Sequence, residues 1–290
     1  MTSKSKVLGI LHPGEMGAAV GRVLVASGHE VLWCAEGRSM RSMLRAREAG
    51  LIDVGSIGAM LERADAVLSI CPPQAALDVA KSVAGFPGLF LDANAISPST
   101  AARVEAAITD GGGTYVDGGI IGGPPVGATK TRLYLSGARA DQVASLFSGD
   151  AMVITVMGQR AGAASALKLA YSAWSKGTSA LLLAIRAFAR AEGVEASLLS
   201  EWSSSRPELL DDSIRAAHSA ATKGWRWIAE MEEIASSFET ARLPRGFHSA
   251  AGEIYRRSGH EENAIADTET LQQVLNLIGT PVTRSEGFEL

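Results

Sequence analysis

Between Val7 and Thr109 the chain keeps switching between short β-branched runs and helical stretches. A parallel sheet with crossover helices absorbs that rhythm, and few other folds do. Val7–Leu11, Glu30–Cys34, Ala66–Cys71 and Gly88–Asp92 read as buried strands. Met16–Ser27, Arg41–Ala49, Ala75–Val83 and Pro98–Thr109 read as helices, the last opened by Ser97-Pro98. Tyr115–Asp117, Arg132–Ser136 and Met152–Thr155 are later strands. Past Gly158 the texture changes. From Gly162 to about Ala191 the pattern is one long helix with no proline and a single internal glycine, Gly177. No convincing strand follows, and caps or breaks are expected near Pro207, Lys223-Gly224 and Pro244-Arg245-Gly246. At roughly 150 residues per domain, the length allows two domains. The expected architecture is an α/β domain with a doubly wound sheet over 1–157, an inter-domain helix over 158–192, and an all-helical substrate and dimerisation domain over 193–290.

Composition narrows the function classes. With 47% hydrophobic and 20% charged residues the chain can bury large cores, which excludes disorder. A formal charge of −4 offers no basic surface to nucleic acid. No apolar run approaches the roughly 18 residues of a membrane span, and MTSKSK is too short and polar for a secretory leader. Cys34 and Cys71 sit in apolar runs without a CxxC or histidine-rich context, so reduced thiols, a cytoplasmic setting and no metal site are expected.

The first strand runs into His12-Pro13-Gly14-Glu15-Met16-Gly17 and then a helix rich in Ala and Val. A strand, glycine turn and helix in this order aim backbone N–H groups and a positive helix end at a pyrophosphate, as in Rossmann domains. Gly14 lets the backbone approach the phosphates, and Gly17 lets helix and strand pack closely. His12 stands at the first glycine position of GxGxxG, so the fingerprint is imperfect. Glu36, 24 residues after His12, is placed to accept ribose hydroxyls of NAD. Arg38, Ser39 and Arg41 follow at once and suit the extra phosphate of NADP, the favoured cofactor, with NAD as the alternative. An ordinary β–α turn and a solvated helix start are the bland readings.

Four blocks in order, HPGEMG at 12–17, DANAISP at 92–98, DGGIIGG at 117–123 and GAASALKLAYS at 162–172, resemble the β-hydroxyacid dehydrogenase superfamily. That superfamily includes 3-hydroxyisobutyrate and 6-phosphogluconate dehydrogenases and the related imine reductases. The resemblance covers about 1–192, and the stretch around GWRWIAEMEEIASSF at 224–238 is similar to a bacterial subgroup whose last domain has no assigned function. It implies that Lys168 is the catalytic acid–base group, with Ser172 where the family usually has Asn. At i and i+4 the two share a helix face and can meet one substrate oxygen. Lys168 is also the only charged side chain between Arg160 and Lys176, within a run of Ala, Leu and Tyr where an ammonium facing an apolar cleft suits proton transfer; a snorkelling lysine is the structural alternative, and the resemblance favours the acid–base role. The resemblance further puts Asn94 beside nicotinamide and substrate, and Cys71-Pro72-Pro73 against the cofactor ribose. Helix capping by Asn94 and Ser97 and a rigid strand-end turn are the structural alternatives.

Where hydroxyacid members carry Ser-Gly-Gly for the substrate carboxylate, this chain has Ile121-Gly122-Gly123, whose glycine amides can still bind an anion. That substitution brings it nearer to imine reductases, which generally lack the helix lysine. In the C-terminal half Trp227, Glu230 and Met231 share a helix face and, with His248, could shape a substrate pocket, although core or dimer packing is the weightier reading. The sequence therefore points to an NADP-dependent oxidoreductase working on a small molecule in a cleft between its domains, as a homodimer without nucleic-acid or membrane partners. C=N reduction and nucleotide binding without chemistry are the alternatives.

Overall fold

The computed structural model describes residues 5–127 and 130–280; positions 281–290 of the expected helical domain lie outside them. The chain divides into two compact units, residues up to Tyr171 and from Ser172 onward.

In the first unit β1 (Val7–Ile10) leads through a turn into α1 (Glu15–Ala26), and β2 (Glu30–Trp33) into α2 (Met40–Glu48). Then come β3 (Ile52–Asp53), α3 (Ile57–Arg63), β4 (Ala66–Ser69), a 3-10 turn at Pro73–Ala75, and α4 (Ala76–Ser82). After β5 (Leu89–Asp92), α5 (Pro98–Thr109) and β6 (Thr114–Ile121), the unit adds β7 (Thr131–Ser136), α6 (Ala140–Ala144) and β8 (Met152–Val156). The strands form one sheet in the order β3-β2-β1-β4-β5-β6-β7-β8, the doubly wound arrangement that the sequence rhythm predicts. Pairing is parallel except between β6 and β7, where the chain doubles back.

Alternation along the strands builds two cores. Leu8, Ile10, Val31, Trp33, Leu68 and Leu91 pack into one face. Leu32, Val67 and Phe90, one position out of phase, pack into the other. β4 is buried at every position, as a strand covered on both faces must be. β2 and β3 lie on one side of β1 and all later strands on the other, so the chain order reverses between β1 and β4. In sheets of this kind the crevice beyond the carboxyl ends of those two strands takes the ligand.

Three local expectations need correcting. β6 does not stop at Asp117 but runs through Gly118-Gly119 to Ile121. The glycine pair serves close packing within the strand: a Cβ on Gly118 would lie 3.0 Å from the Asp92 carbonyl, and one on Gly119 2.6 Å from that of Ala164. β3 and α3 were not expected, because a two-residue exposed strand and a seven-residue helix with only Met60 buried carry no readable period. The third correction concerns Lys223-Gly224, where no break occurs.

The second unit is helical. The long helix α7 (Ala163–Ala191) begins in the first unit and ends in this one. α8 (Glu195–Ser205), α9 (Glu208–Thr240), α10 (Gly246–Arg257) and α11 (Thr268–Gly279) follow, with boundaries at Pro207 and Gly246 as the breaker residues predict. α9 passes unbroken through Gly224, where a Cβ would come 3.3 Å from the ring of Tyr255; the glycine is there for helix contact. Tyr255 is 1% exposed, donates its hydroxyl to the Lys176 carbonyl at 2.6 Å, and meets the Trp227 ring edge-on at 5.1 Å. Arg186, buried on α7, donates from both Nε and Nη2 to Glu195, tying α8 to the long helix.

Candidate active site

The glycine turn lies at the carboxyl end of β1, beside the switch point. Leu11 N–H donates to the Leu68 carbonyl of β4, and Gly14 N–H donates back to the His12 carbonyl at 2.9 Å. Gly17 has no alternative residue, since a Cβ there would stand 2.2 Å from the His12 carbonyl oxygen and close to Ile70. Gly14 differs: it is the N-cap of α1, no side chain caps the helix, and nothing lies within 4 Å of where its Cβ would be. Open space above a helix N-terminus with an uncapped first turn is what an anion requires. Pro13 is buried under the turn, Met16 is half-buried, and Glu15 is exposed on the first turn of α1.

Arg38 folds back from the end of β2 onto this turn. Its Nη2 donates to the Leu11 carbonyl at 3.3 Å, while its buried Nε has no hydrogen-bond partner. Burial and the adjacent guanidinium lower His12 to a pKa of about 4, so at neutral pH the imidazole is uncharged. Glu36 is exposed in the loop after β2. Ser39 caps α2 by accepting from Ser42 N–H, so its hydroxyl already has a structural task. The unmet Nε donor and the open helix end both fit the phosphates of a dinucleotide; His12 at the missing glycine does not obstruct Gly14.

Next along the edge, the ends of β4 and β5 are laced by Asn94, which is 2% exposed. Its Oδ1 accepts from Cys71 N–H at 2.6 Å and its Nδ2 donates to Ser69 Oγ at 3.0 Å. The side chain thus holds the Cys71-Pro72-Pro73 turn in place, and Ser97, not Asn94, caps α5 by accepting from Thr100 N–H. Pro72 is exposed and Pro73 half-buried at the start of the 3-10 turn. Burial pushes the Cys71 thiol up to about 11, which excludes it as a nucleophile at neutral pH.

Beyond β5 the edge is formed by β6 and the start of α7. Asp117 of β6, fully buried, is the N-cap that α7 lacks locally. One carboxylate oxygen accepts from Ala164 N–H at 2.9 Å, Ser165 N–H at 3.1 Å and Ser136 Oγ at 2.7 Å, and the other accepts from Ser165 Oγ. A carboxylate there also complements the helix dipole. One turn further on, Lys168 is half-buried, its Cβ 3.1 Å from where a Gly119 Cβ would be. Ile121 is buried at the strand end, and Gly122 and Gly123 are exposed just past it. Gly122 has φ +117°, a conformation that favours glycine, and the Gly123 carbonyl accepts from Thr131 Oγ. Sequence reasoning quoted Asp117 without giving it a role. The readable signal was a 29-residue helix preceded by Gly162, with no Ser, Thr, Asp or Asn at the capping position.

The first unit therefore brings together the 12–17 turn, Arg38, the 71–73 turn, Asn94, residues 121–123 and Lys168 along the carboxyl edge of the sheet. Ser172 lies four residues past Lys168 on α7, fully buried, with Oγ unpartnered. The other expected substrate residues are engaged inside the helical unit. Met231 has no exposure and packs by Gly252, Glu230 pairs with Lys176, and Trp227 lies 5.2 Å under that same ammonium. Among the described residues no helix is long and apolar enough to cross a membrane.

A doubly wound sheet whose switch point opens onto a glycine turn and a bare helix N-terminus defines a dinucleotide-binding Rossmann protein. Residues 7–158 match the NAD binding domain of 6-phosphogluconate dehydrogenase, and residues 189–258 match a domain of unknown function, DUF1932. The chain belongs to that NAD-binding family, and with it to the β-hydroxyacid dehydrogenase superfamily of NAD(P)-binding oxidoreductases. An uncharacterized 28.5 kDa protein of Methanothermus fervidus is 30% identical over 171 residues. That match spans 59% of this chain and 66% of the relative, just under two thirds of its length.

Solved structures extend the likeness of fold to nearly the whole chain. A conserved hypothetical protein from Sinorhizobium meliloti 1021 is 24% identical with a TM-score of 0.69, over 95% of this chain and 98% of that one. A 3-hydroxyisobutyrate dehydrogenase of Mycobacterium tuberculosis has a TM-score of 0.67 at 19% identity, over 94% and 99%. An imine reductase from Pseudomonas sp. gives 0.53 at 18%, over 94% and 98%.

Proposed function

We propose that the chain is an NADP-dependent oxidoreductase of the β-hydroxyacid dehydrogenase type, interconverting a hydroxy and a keto substrate with Lys168 as the acid–base group. When bound, the nicotinamide supplies or accepts the hydride. In the oxidative direction the neutral amine of Lys168 takes the substrate hydroxyl proton; in the reductive direction the ammonium polarises the carbonyl and returns it. The amides of Gly122 and Gly123 orient the substrate, Asn94 acts by holding the Cys71 turn, and Ser172 shares the helix face of Lys168. The observation that carries this reading is the anchoring of α7 by Asp117 and Gly119, which fixes Lys168 against the β6 strand that ends at Ile121. NADP is preferred over NAD because Arg38 keeps a buried donor without a partner beside the glycine turn, whereas Glu36 stays in solvent.

The test is Lys168→Ala, assayed against a panel of hydroxyacids and ketones alongside NADPH binding by nicotinamide fluorescence. Turnover should fall by ~10²–10⁴-fold with nucleotide affinity unchanged; near-normal turnover would sink the assignment. Ile121, apolar and buried where hydroxyacid members carry serine, favours C=N reduction as a second reading. Turnover of cyclic imines with none of hydroxyacids would establish it. A homodimer accords with the exposed Trp174, Leu181, Ile185 and Phe188 on α7, which recur along one face.

A further inference from the structure

His12 stands where the dinucleotide fingerprint has its first glycine, so this turn carries a titratable ring that the fingerprint does not. Its main chain is pinned. The carbonyl accepts Gly14 N–H at 2.9 Å, and Gly17 gives it room by lacking a Cβ. The ring is half-buried. Nδ1 is closed off and has no hydrogen-bond partner, whereas Nε2, likewise unpartnered among the described residues, keeps access to solvent. A proton can therefore reach and leave the ring at Nε2.

The charges around this ring come from other elements. The Arg38 guanidinium, from the loop after β2, bonds the Leu11 carbonyl and disfavours a second positive charge beside it. Cys71, past the end of β4, is a neutral thiol in the field of the same guanidinium. Glu15 on α1 and Glu36 after β2 are exposed. Burial first, and Arg38 second, hold His12 at about 4, so in the protein alone the ring is neutral near pH 7. An anion at the helix end reverses the second cause, since it offsets Arg38 and favours a proton on the neighbouring imidazole. The uncapped first turn of α1, open above Gly14, seats such an anion two residues along the chain from His12.

We propose that His12 makes nucleotide binding proton-coupled: a phosphate of the dinucleotide seated on the glycine turn draws one proton from solvent onto His12 Nε2, so that affinity rises as pH falls. The inference rests on the dinucleotide reading of this turn. The imidazolium is then a second cation beside Arg38, present only when the ligand is. By linkage the bound state, which holds more protons, gains as pH falls, and the gain levels off below about 4, where the ring is charged without ligand. With glycine at this position the turn has no group to titrate there.

The test is calorimetry on the full-length protein between about pH 5 and 7, in buffers of different ionisation enthalpy, with NADPH and with NADH. Binding should tighten ~tenfold or more from about pH 7 to 5, with uptake of up to one proton, if the phosphate returns His12 to the ordinary range near 6.5. A phosphate monoester itself titrates near pH ~6, so the readout is the difference from His12→Gln, which should lose both the tightening and the uptake. His12→Gly, which restores the fingerprint, gives the same comparison where the amide disturbs the turn. Coupling with NADPH alone assigns the proton to the 2′-phosphate, and coupling with both nucleotides assigns it to the pyrophosphate. Independently, the His12 imidazole NMR signal, identified by its loss in His12→Gln, should titrate near 4 alone and about two units higher under saturating NADPH. Nucleotide binding with one pH dependence in parent and His12→Gln, or an imidazole signal that nucleotide leaves in place, overturns this proposal and leaves the dinucleotide reading standing. Binding of neither nucleotide at any pH overturns both.

Discussion

At the scale of single residues, the site is shaped by what burial does to titratable groups. Asp92 ends β5, is 1% exposed, accepts Asn94 N–H on Oδ1, and leaves Oδ2 without a partner. Burial, reinforced by the neighbouring Asp117, pushes its carboxyl up to about 7 from 3.8. The folded chain therefore holds this proton more tightly than the unfolded chain. The resulting stabilisation is complete below about pH 4 and is lost as pH rises through about 7. Asp92→Asn keeps the acceptor for Asn94 and removes the charge. Its melting temperature should equal that of the parent below about pH 4, exceed it increasingly between about pH 4 and 7, and level off above. The ceiling is about 4 kcal/mol, three units at ~1.4 each. A difference that stays flat with pH would show Asp92 to be ionised throughout. His12 and Cys71, lowered to about 4 and raised to about 11, are uncharged at neutral pH by the same cause, and the guanidinium of Arg38 is a cation that bonds the turn.

At the scale of elements, two glycines three residues apart do different work. Gly14 has φ −68°, which alanine adopts freely, and open space where a side chain would go. Gly14→Ala should fold with an unchanged melting temperature yet bind NADPH ~tenfold or more weakly, because the methyl occupies the approach to the helix end. Gly17→Ala drives a methyl into a backbone carbonyl that cannot swing aside, and should lower the melting temperature by many degrees or prevent folding. If both variants lost stability alike, the phosphate role of Gly14 would have no support. α7 offers a parallel case. Asp117 receives two N–H and two hydroxyl donors, so Asp117→Asn turns an NH2 group toward donors. Denaturant unfolding should register a loss of ~3 kcal/mol, with turnover falling as Lys168 loses its anchor. An unchanged midpoint would mean the helix start is held by something else.

At the scale of the whole molecule, the chain leaves a long apolar face on α7 in solvent, Trp174 at 72% exposure and Phe188 at 66%. A contiguous exposed apolar face of this kind marks an interaction surface. Sedimentation should give twice the chain mass, and Ile185→Glu with Phe188→Glu should return the monomer; a monomeric parent would end the dimer proposal. Saturating NADPH should raise the melting temperature of the assembly, and NADH should do so less, since ligand stabilises in proportion to the logarithm of its concentration over Kd. Reversal of that order would move the ribose contact to Glu36.

The sequence by itself determined the α/β unit, its strand rhythm, the glycine turn and the long helix with Lys168, because each is written in local period or in a motif of adjacent residues. It ended β6 early at Asp117 and expected a break at Gly224, since a glycine chosen for close contact looks the same in sequence as one that breaks an element. Only the tertiary structure decided that Asp117 caps a helix 46 residues later, that Asn94 spends its amide on Cys71 and Ser69, and that Met231 and Glu230 are inside the helical unit. Those are partnerships across long stretches of chain, and hydrogen bonds of that kind leave no period to read; they exist once the sheet has set its edges side by side.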